Sequence, residues 1–223
     1  MHTDVRQTPA DTQSFLNLAG FNALGLNTSP YEYLVMPGFI RPEATAAISR
    51  DFPEVKQAGS FPVDTMQCGE AFIALMRELE GPAFRQAVEQ KFGVDLTGRP
   101  TMITVRGRTD ETDGRIHTDS KTKIITVLIY FNETWADTGG RLRILRSGAD
   151  LEDYVAEVEP SIGTLLAFRR SDASWHGHKP FVGERRALQL NWVVSEAVKR
   201  REQNRHGVSA FFKGLFGKSG YTG

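Results

Sequence analysis

The sequence predicts an α+β fold that is mainly β, a jelly-roll core with N-terminal helices packed on one of its sheets. Three observations predict it. Helical patterning is confined to the residues before Pro100 and strand-like runs fill most of those after it, without the strand–helix–strand alternation of a parallel sheet. The strand runs are short and separated by Gly, Pro and Asp clusters, the texture of a sandwich or barrel. At 223 residues and 24.8 kDa the chain is long enough to enclose one full core.

Each element has its own justification. Residues 1–28 read as a polar arm with a weakly apolar patch from Phe15 to Leu26. Tyr31–Met36 alternates as a strand does, and Pro37-Gly38 stops it. Pro42 suits a first helical turn, and Ala44, Ala46, Ala47 and Ile48 carry that helix toward Phe52-Pro53. A second helical stretch from Gly69 to Phe92 has Phe72, Leu75, Met76, Leu79, Phe84 and Val88 on one face, and Gly81-Pro82 predicts a break into two pieces. Met102–Val105 opens the β region, followed by a polar Gly/Asp-rich turn over 108–114. Lys123–Phe131 is β-branched and apolar on both faces, so it predicts a central strand covered on both sides. Leu142–Leu145, Tyr154–Val158, Thr164–Phe168 and Arg186–Val194 complete the strands. The organisation expected is an arm over 1–28, one domain over 29–195 with helical support at 40–95 and the β core at 100–195, and a helical tail over 196–223.

Composition narrows the functions. Lys+Arg 27 against Asp+Glu 27 leaves no global field to draw the protein to nucleic acid or anionic lipid. The single Cys68 excludes an intrachain disulfide framework and a cysteine-built zinc site. No apolar run is long enough for a membrane span, and the polar start Met1–Arg6 lacks a signal-peptide core. A cytoplasmic location is the expectation.

Chemistry concentrates among five histidines. In His117-Thr118-Asp119 an extended backbone turns the imidazole and the carboxylate to the same side. A further histidine lies in Ser174-Trp175-His176-Gly177-His178, after the strand candidate ending at Phe168. Two His and one carboxylate are the facial triad of non-haem Fe(II) oxygenases, although zinc accepts the same donors. His178 shares a side with His176 by strand parity and competes with it as a ligand. Arg185 and Arg186 then enter an otherwise half-apolar strand, which is costly unless an anion meets one of them. A dicarboxylate chelating the metal at one end and pairing with that arginine at the other satisfies both needs.

His117-x-Asp119, Tyr130-Phe131-Asn132, Trp135, Gly139–Ile144, Val158-Glu159-Pro160, Gly163–Phe168, His176, Pro180, Arg186 and Trp192 follow one another in order. This series resembles the Fe(II)/2-oxoglutarate-dependent dioxygenases, specifically their prolyl 4-hydroxylase-like branch, over residues 100–194. The resemblance implies a cupin-like double-stranded β-helix, in agreement with the jelly roll. It implies Fe(II) on His117, Asp119 and His176, with 2-oxoglutarate and O2 as co-substrates, and ascorbate as a reductant. It implies that an arginine and Tyr130 bind the distal carboxylate of 2-oxoglutarate. Between the arginines it favours Arg186, ten residues after His176 and six before Trp192, with Arg185 as the alternative. The reaction implied is hydroxylation of a C–H bond with release of succinate and CO2, since Asp119 retains the carboxylate that halogenating relatives lack.

The substrate stays open between a prolyl or other peptide side chain and a small molecule or glycan precursor. A non-catalytic jelly-roll module binding a metal or other ligand is the rival reading. Arg106, Arg108, Arg115, Lys121 and Lys123 form either a solvated basic rim or a surface for an anionic or polar substrate, with Arg115 the first candidate and Lys123 beside it. Trp135 and His178 are further candidates for substrate or supporting contacts. Phe211, Phe212, Leu215 and Phe216 form an apolar stripe if helical, suited to docking on the chain's own helices or to a homodimer contact.

Overall fold

The computed structural model describes residues 14–201. Two antiparallel sheets face each other as a jelly roll. The larger has the order β1-β7-β4-β9-β3-β2, formed by Tyr33–Met36, Leu165–Arg169, Lys123–Tyr130, Gly183–Val193, Thr101–Thr109 and Phe61–Pro62. The smaller has the order β6-β5-β8, formed by Tyr154–Val158, Leu142–Leu145 and His176–Gly177. The helices α1 Leu18–Ala23, α2 Pro42–Arg50, α3 Glu70–Leu79 and α4 Pro82–Phe92 accompany them.

Strand parity divides the interior in two. Ile125, Val127 and Ile129 of β4 and Leu188, Leu190 and Trp192 of β9 join the helix residues Ile48, Phe72, Leu75 and Phe84 in one core. The opposite face of the same strands meets the smaller sheet, where Tyr130, Ala187, Leu166 and Phe168 pack with Leu142, Ile144 and Val158. Phe84 touches Phe21, Phe39 and Trp192, with ring centroids 5.8, 5.4 and 5.9 Å away, and so fastens α4 to the sheet. Each such ring contributes about 1.5–3 kcal/mol by its burial.

The sequence-derived elements compare closely with these. The break at Gly81-Pro82 is present: Gly81 caps α4 in extended conformation and Pro82 starts it. Gly93, at φ 58°, ends α4 in the left-handed conformation that glycine adopts without strain. The arm is corrected from Phe15 onward. Leu16 bridges to Ile40 and Phe21 is fully buried, because the patch 15–26 supplies the apolar face of α1 to the core. The short strands β2 and β8 were not expected, each being too brief to show a period. The aromatic stripe Phe211–Phe216 and any homodimer contact through it lie outside the described residues. No helix among the described residues is long and apolar enough to cross a membrane.

Candidate active site

The interior ends in a cavity of about 200 Å³ between the two sheets. Its floor is the inward face of β3, β4 and β9. Antiparallel register sets Thr104 opposite Gln189, Arg106 opposite Ala187, and Thr126 opposite Asn191. All six share the face that leads to Arg185.

His117, Asp119 and His176 converge at this cavity, each offering a ligand atom within 4.8 Å of the others'. His117 and His176 form an antiparallel bridge, with both backbone N–H···O distances 3.0 Å, which sets their rings 4.3 Å apart. Short β8 therefore has a purpose: pairing with Ile144, it brings His176 of the smaller sheet beside His117. His117 Nδ1 lies 2.8 Å from the Arg115 carbonyl, and His176 Nδ1 lies 2.9 Å from the Ser174 carbonyl. A carbonyl only accepts, so both Nδ1 atoms carry the proton and both Nε2 atoms present a lone pair. Burial pushes the His176 pKa down to about 4 against the opposing pull of Asp119, so its imidazole is neutral at neutral pH.

Asp119 complements the two imidazoles. Burial alone would raise its carboxyl pKa, but Lys123 Nζ at 2.8 Å from Oδ1, nearby His176 and the Thr126 hydroxyl bring it down to about 2. Thr126 Oγ1 lies 2.6 Å from Asp119 Oδ2 and 3.0 Å from Asn191 Oδ1. Its single proton goes to the charged acceptor. Two imidazoles and one ionised carboxylate fit a divalent ion, so the residues present suit the metal that the resemblance implies.

Arg185 lies at the far end, 4% exposed. Its Nε donates to the Gly140 carbonyl at 2.7 Å, and Nη2 lies 3.5 Å from the Tyr130 hydroxyl. No carboxylate among the described residues pairs with it. Burial works against its charge, so an anion is the natural complement. Tyr130 backs the guanidinium rather than lining the cavity, and burial raises its phenol pKa so that the hydroxyl keeps its proton. The preference for Arg186 is corrected. Arg186 shares β9's other face with Leu188 and Leu190, and its guanidinium leaves the cavity to bond Ser49 and lie 4.6 Å from the Phe52 ring.

Among the other candidates, Lys123 and His178 line the cavity. Arg115 does not, and only its carbonyl serves, holding His117. Trp135 is also outside the lining: its indole N–H donates to the Gly139 carbonyl and its ring packs 4.6 Å from Phe181. Thr126, Gln189 and Asn191 were not singled out from the sequence, although strand alternation through Ala187 marks the last two as inward.

One glycine is required here. Gly114 has φ 92°, and a Cβ on it would lie 2.4 Å from the His178 carbonyl oxygen and 2.5 Å from its Nδ1. Gly114→Ala is expected to destabilise the protein by roughly 2–4 kcal/mol and to weaken metal binding, because the turn leading to His117 is displaced. Thermal melts with and without added metal check both effects.

This fold, with two histidines and a carboxylate gathered at its cavity, is the architecture of non-haem metal oxygenases. Residues 106–194 match the family model of the 2OG-Fe(II) oxygenase superfamily. Over these residues, about two fifths of the chain, it is similar to that superfamily. Among solved structures, a prolyl-4-hydroxylase from Pseudomonas putida is similar at TM-score 0.53 and 21% identity, covering 81% of this chain and 93% of its own. HygX from Streptomyces hygroscopicus, solved with nickel and 2-oxoglutarate bound, is similar at TM-score 0.51 and 12% identity, covering 74% and 82%. The viral collagen prolyl hydroxylase of Paramecium Bursaria Chlorella virus-1, in complex with 2-oxoglutarate, follows at TM-score 0.50 and 13% identity, covering 73% and 96%. These likenesses are of fold. No curated protein sequence matches the chain.

Proposed function

We propose that His117, Asp119 and His176 hold the Fe(II), and that Arg185, backed by Tyr130, holds the distal carboxylate of 2-oxoglutarate. The observation that carries this reading is the buried guanidinium of Arg185, without a carboxylate partner among the described residues, in the same cavity as the three converging ligands. When bound, iron and 2-oxoglutarate supply the oxidising chemistry, in which substrate R–H, O2 and 2-oxoglutarate become R–OH, succinate and CO2.

The chain's own residues orient and select. Arg185 offers the N–H groups left over from Gly140 as a fork to the incoming carboxylate. Tyr130 accepts from Arg185 and positions the guanidinium from behind. Backbone carbonyls at Arg115 and Ser174 fix the tautomers of the two histidines. The non-catalytic module has no need of an arginine buried in this way, and a zinc hydrolase would need a further carboxylate base. The other carboxylate in the cavity wall, Asp113, is 2.6 Å from Arg106.

The test is an anaerobic titration of purified protein with Fe(II) and 2-oxoglutarate, reading the visible metal-to-ligand charge-transfer band. The expected result is a saturable band in the native protein and none in a folded His176→Ala variant. A folded, metal-loaded native protein without a band refutes the assignment and favours the binding module.

A further inference from the structure

We infer that the enzyme's substrate is a compact carboxylate seated on Arg106, and not a prolyl side chain. This rests on the site assignment above and extends it to the third component of the reaction.

The first observation is charge. The cavity wall carries three fixed cations, Arg106, Lys123 and Arg185, against two carboxylates, Asp113 and Asp119. The imidazoles that bind metal are neutral. Fe(II) and dianionic 2-oxoglutarate cancel each other, so one positive charge stays uncompensated in a confined space. A monoanionic substrate completes the balance, and a neutral one leaves it open.

The second observation is donor capacity. Arg185 is committed to 2-oxoglutarate, and Lys123 holds Asp119 at 2.8 Å. Arg106 is ion-paired as well, with Asp113, but its guanidinium keeps N–H groups to offer. Its Nη1 is 2.6 Å from Asp113 Oδ1, yet that atom is buried without an aligned hydrogen bond, and Nη2 reaches Ser60 Oγ at 3.2 Å. The pair holds the guanidinium against the wall while leaving donor capacity for an oxyanion. Arg106 lies beside Ala187 in register, two residues from Arg185 on the same face.

The third observation is the lining. No Phe, Tyr or Trp lines the cavity among the described residues, and its apolar side chains are Leu128, Leu142 and Ala187. A pyrrolidine ring entering it would meet Thr104, Gln189 and His178 in place of an apolar slot. His178 Nδ1 lies 2.8 Å from the Lys179 carbonyl and so carries the proton, which makes Nε2 an acceptor for a hydroxyl or amine next to the carboxylate.

The experiment uses the full chain loaded with Fe(II) and 2-oxoglutarate. Three probe sets are added: hydroxy and amino carboxylic acids with their primary amides, phosphate monoesters with their parent alcohols, and a capped prolyl tripeptide. Two readouts are taken, perturbation of the charge-transfer band without O2 and stimulation of succinate release with it. The expected result is a response to one or more acids and none to the matching amides. Arg106→Gln is then expected to raise the half-saturating acid concentration at least tenfold, with the half-saturating 2-oxoglutarate concentration moving less than twofold. A fall in maximal rate at unchanged half-saturation would assign Arg106 a structural part and refute the proposal. So would a response to the phosphates alone, to the amides or to the prolyl peptide, or no response to any acid. Loss of 2-oxoglutarate binding in Arg106→Gln but not in Arg185→Ala would refute the underlying site assignment instead.

Discussion

Replacing Arg185 with alanine is expected to cost about 2–5 kcal/mol of 2-oxoglutarate binding, roughly thirtyfold to several thousandfold in affinity. The size follows from burial. The guanidinium is 4% exposed, so its removal leaves the distal carboxylate in a pocket where little water can replace the lost fork. Arg185→Lys keeps the charge and loses the fork, so it should fall between the two. Arg186→Ala is the control. It removes the bonds to Ser49 at 3.2 and 3.0 Å and the stacking on Phe52, and should lower stability by about 1–2 kcal/mol with 2-oxoglutarate affinity retained. Isothermal titration of 2-oxoglutarate into Mn(II)-loaded protein, with thermal melts of each variant, separates the effects. Weakened binding in Arg186→Ala and unchanged binding in Arg185→Ala would reverse the assignment.

The choice between these adjacent arginines shows what the sequence held and how it was misread. In Arg185-Arg186-Ala187-Leu188-Gln189-Leu190-Asn191-Trp192 the large apolar residues fall on even numbers and the small or polar ones on odd numbers. That alternation is a strand with one face on a packed core and one on a polar cavity, and it puts Arg185 on the cavity side. Offsets to His176 and Trp192 favoured Arg186, but an offset through a loop carries no parity, whereas position within a strand does. The strands from 123 onward, apart from the two-residue β8, were legible because each is long or regular enough to show its own period. The metal candidates were legible because His117 and Asp119 are two apart and histidine is scarce in this chain.

What stayed hidden depends on contacts between distant segments. Arg115 lies two residues before His117, yet its contribution to the site is its carbonyl, and its side chain is not in the cavity lining. Asp113 and Gly114 read as turn residues, while in the fold they meet Arg106 and His178. Burial of Phe21 by Phe39 and Phe84 could not be read from a weakly apolar patch, since the partners are supplied by other elements. Thr126 and Asn191 are ordinary strand residues until β4 and β9 come into register and set them beneath Asp119.

Asp119→Asn is expected to cost more metal affinity than the roughly 10–100-fold loss typical of a neighbouring hydrogen-bonding residue. The native carboxyl, held near pKa 2, is ionised throughout the neutral range, so the substitution removes a full charge from the ion's environment. The amide also matches its surroundings poorly. Lys123 Nζ and the Thr126 hydroxyl both present protons to Asp119, and an amide can accept only through its oxygen. If that oxygen turns to Lys123, the amide N–H2 faces Thr126, whose proton must then go to Asn191 Oδ1, 3.0 Å away. This rearrangement is available, so the metal-free protein should keep its fold. The Lys123 side chain is 16% exposed, so losing its charged partner should lower the stability of the metal-free protein by about 1–3 kcal/mol. Competition with a chromophoric chelator for Fe(II) or Mn(II), beside a melt of the metal-free protein, tests both halves. Native-like metal affinity in a folded Asp119→Asn protein would remove Asp119 from the ligand set.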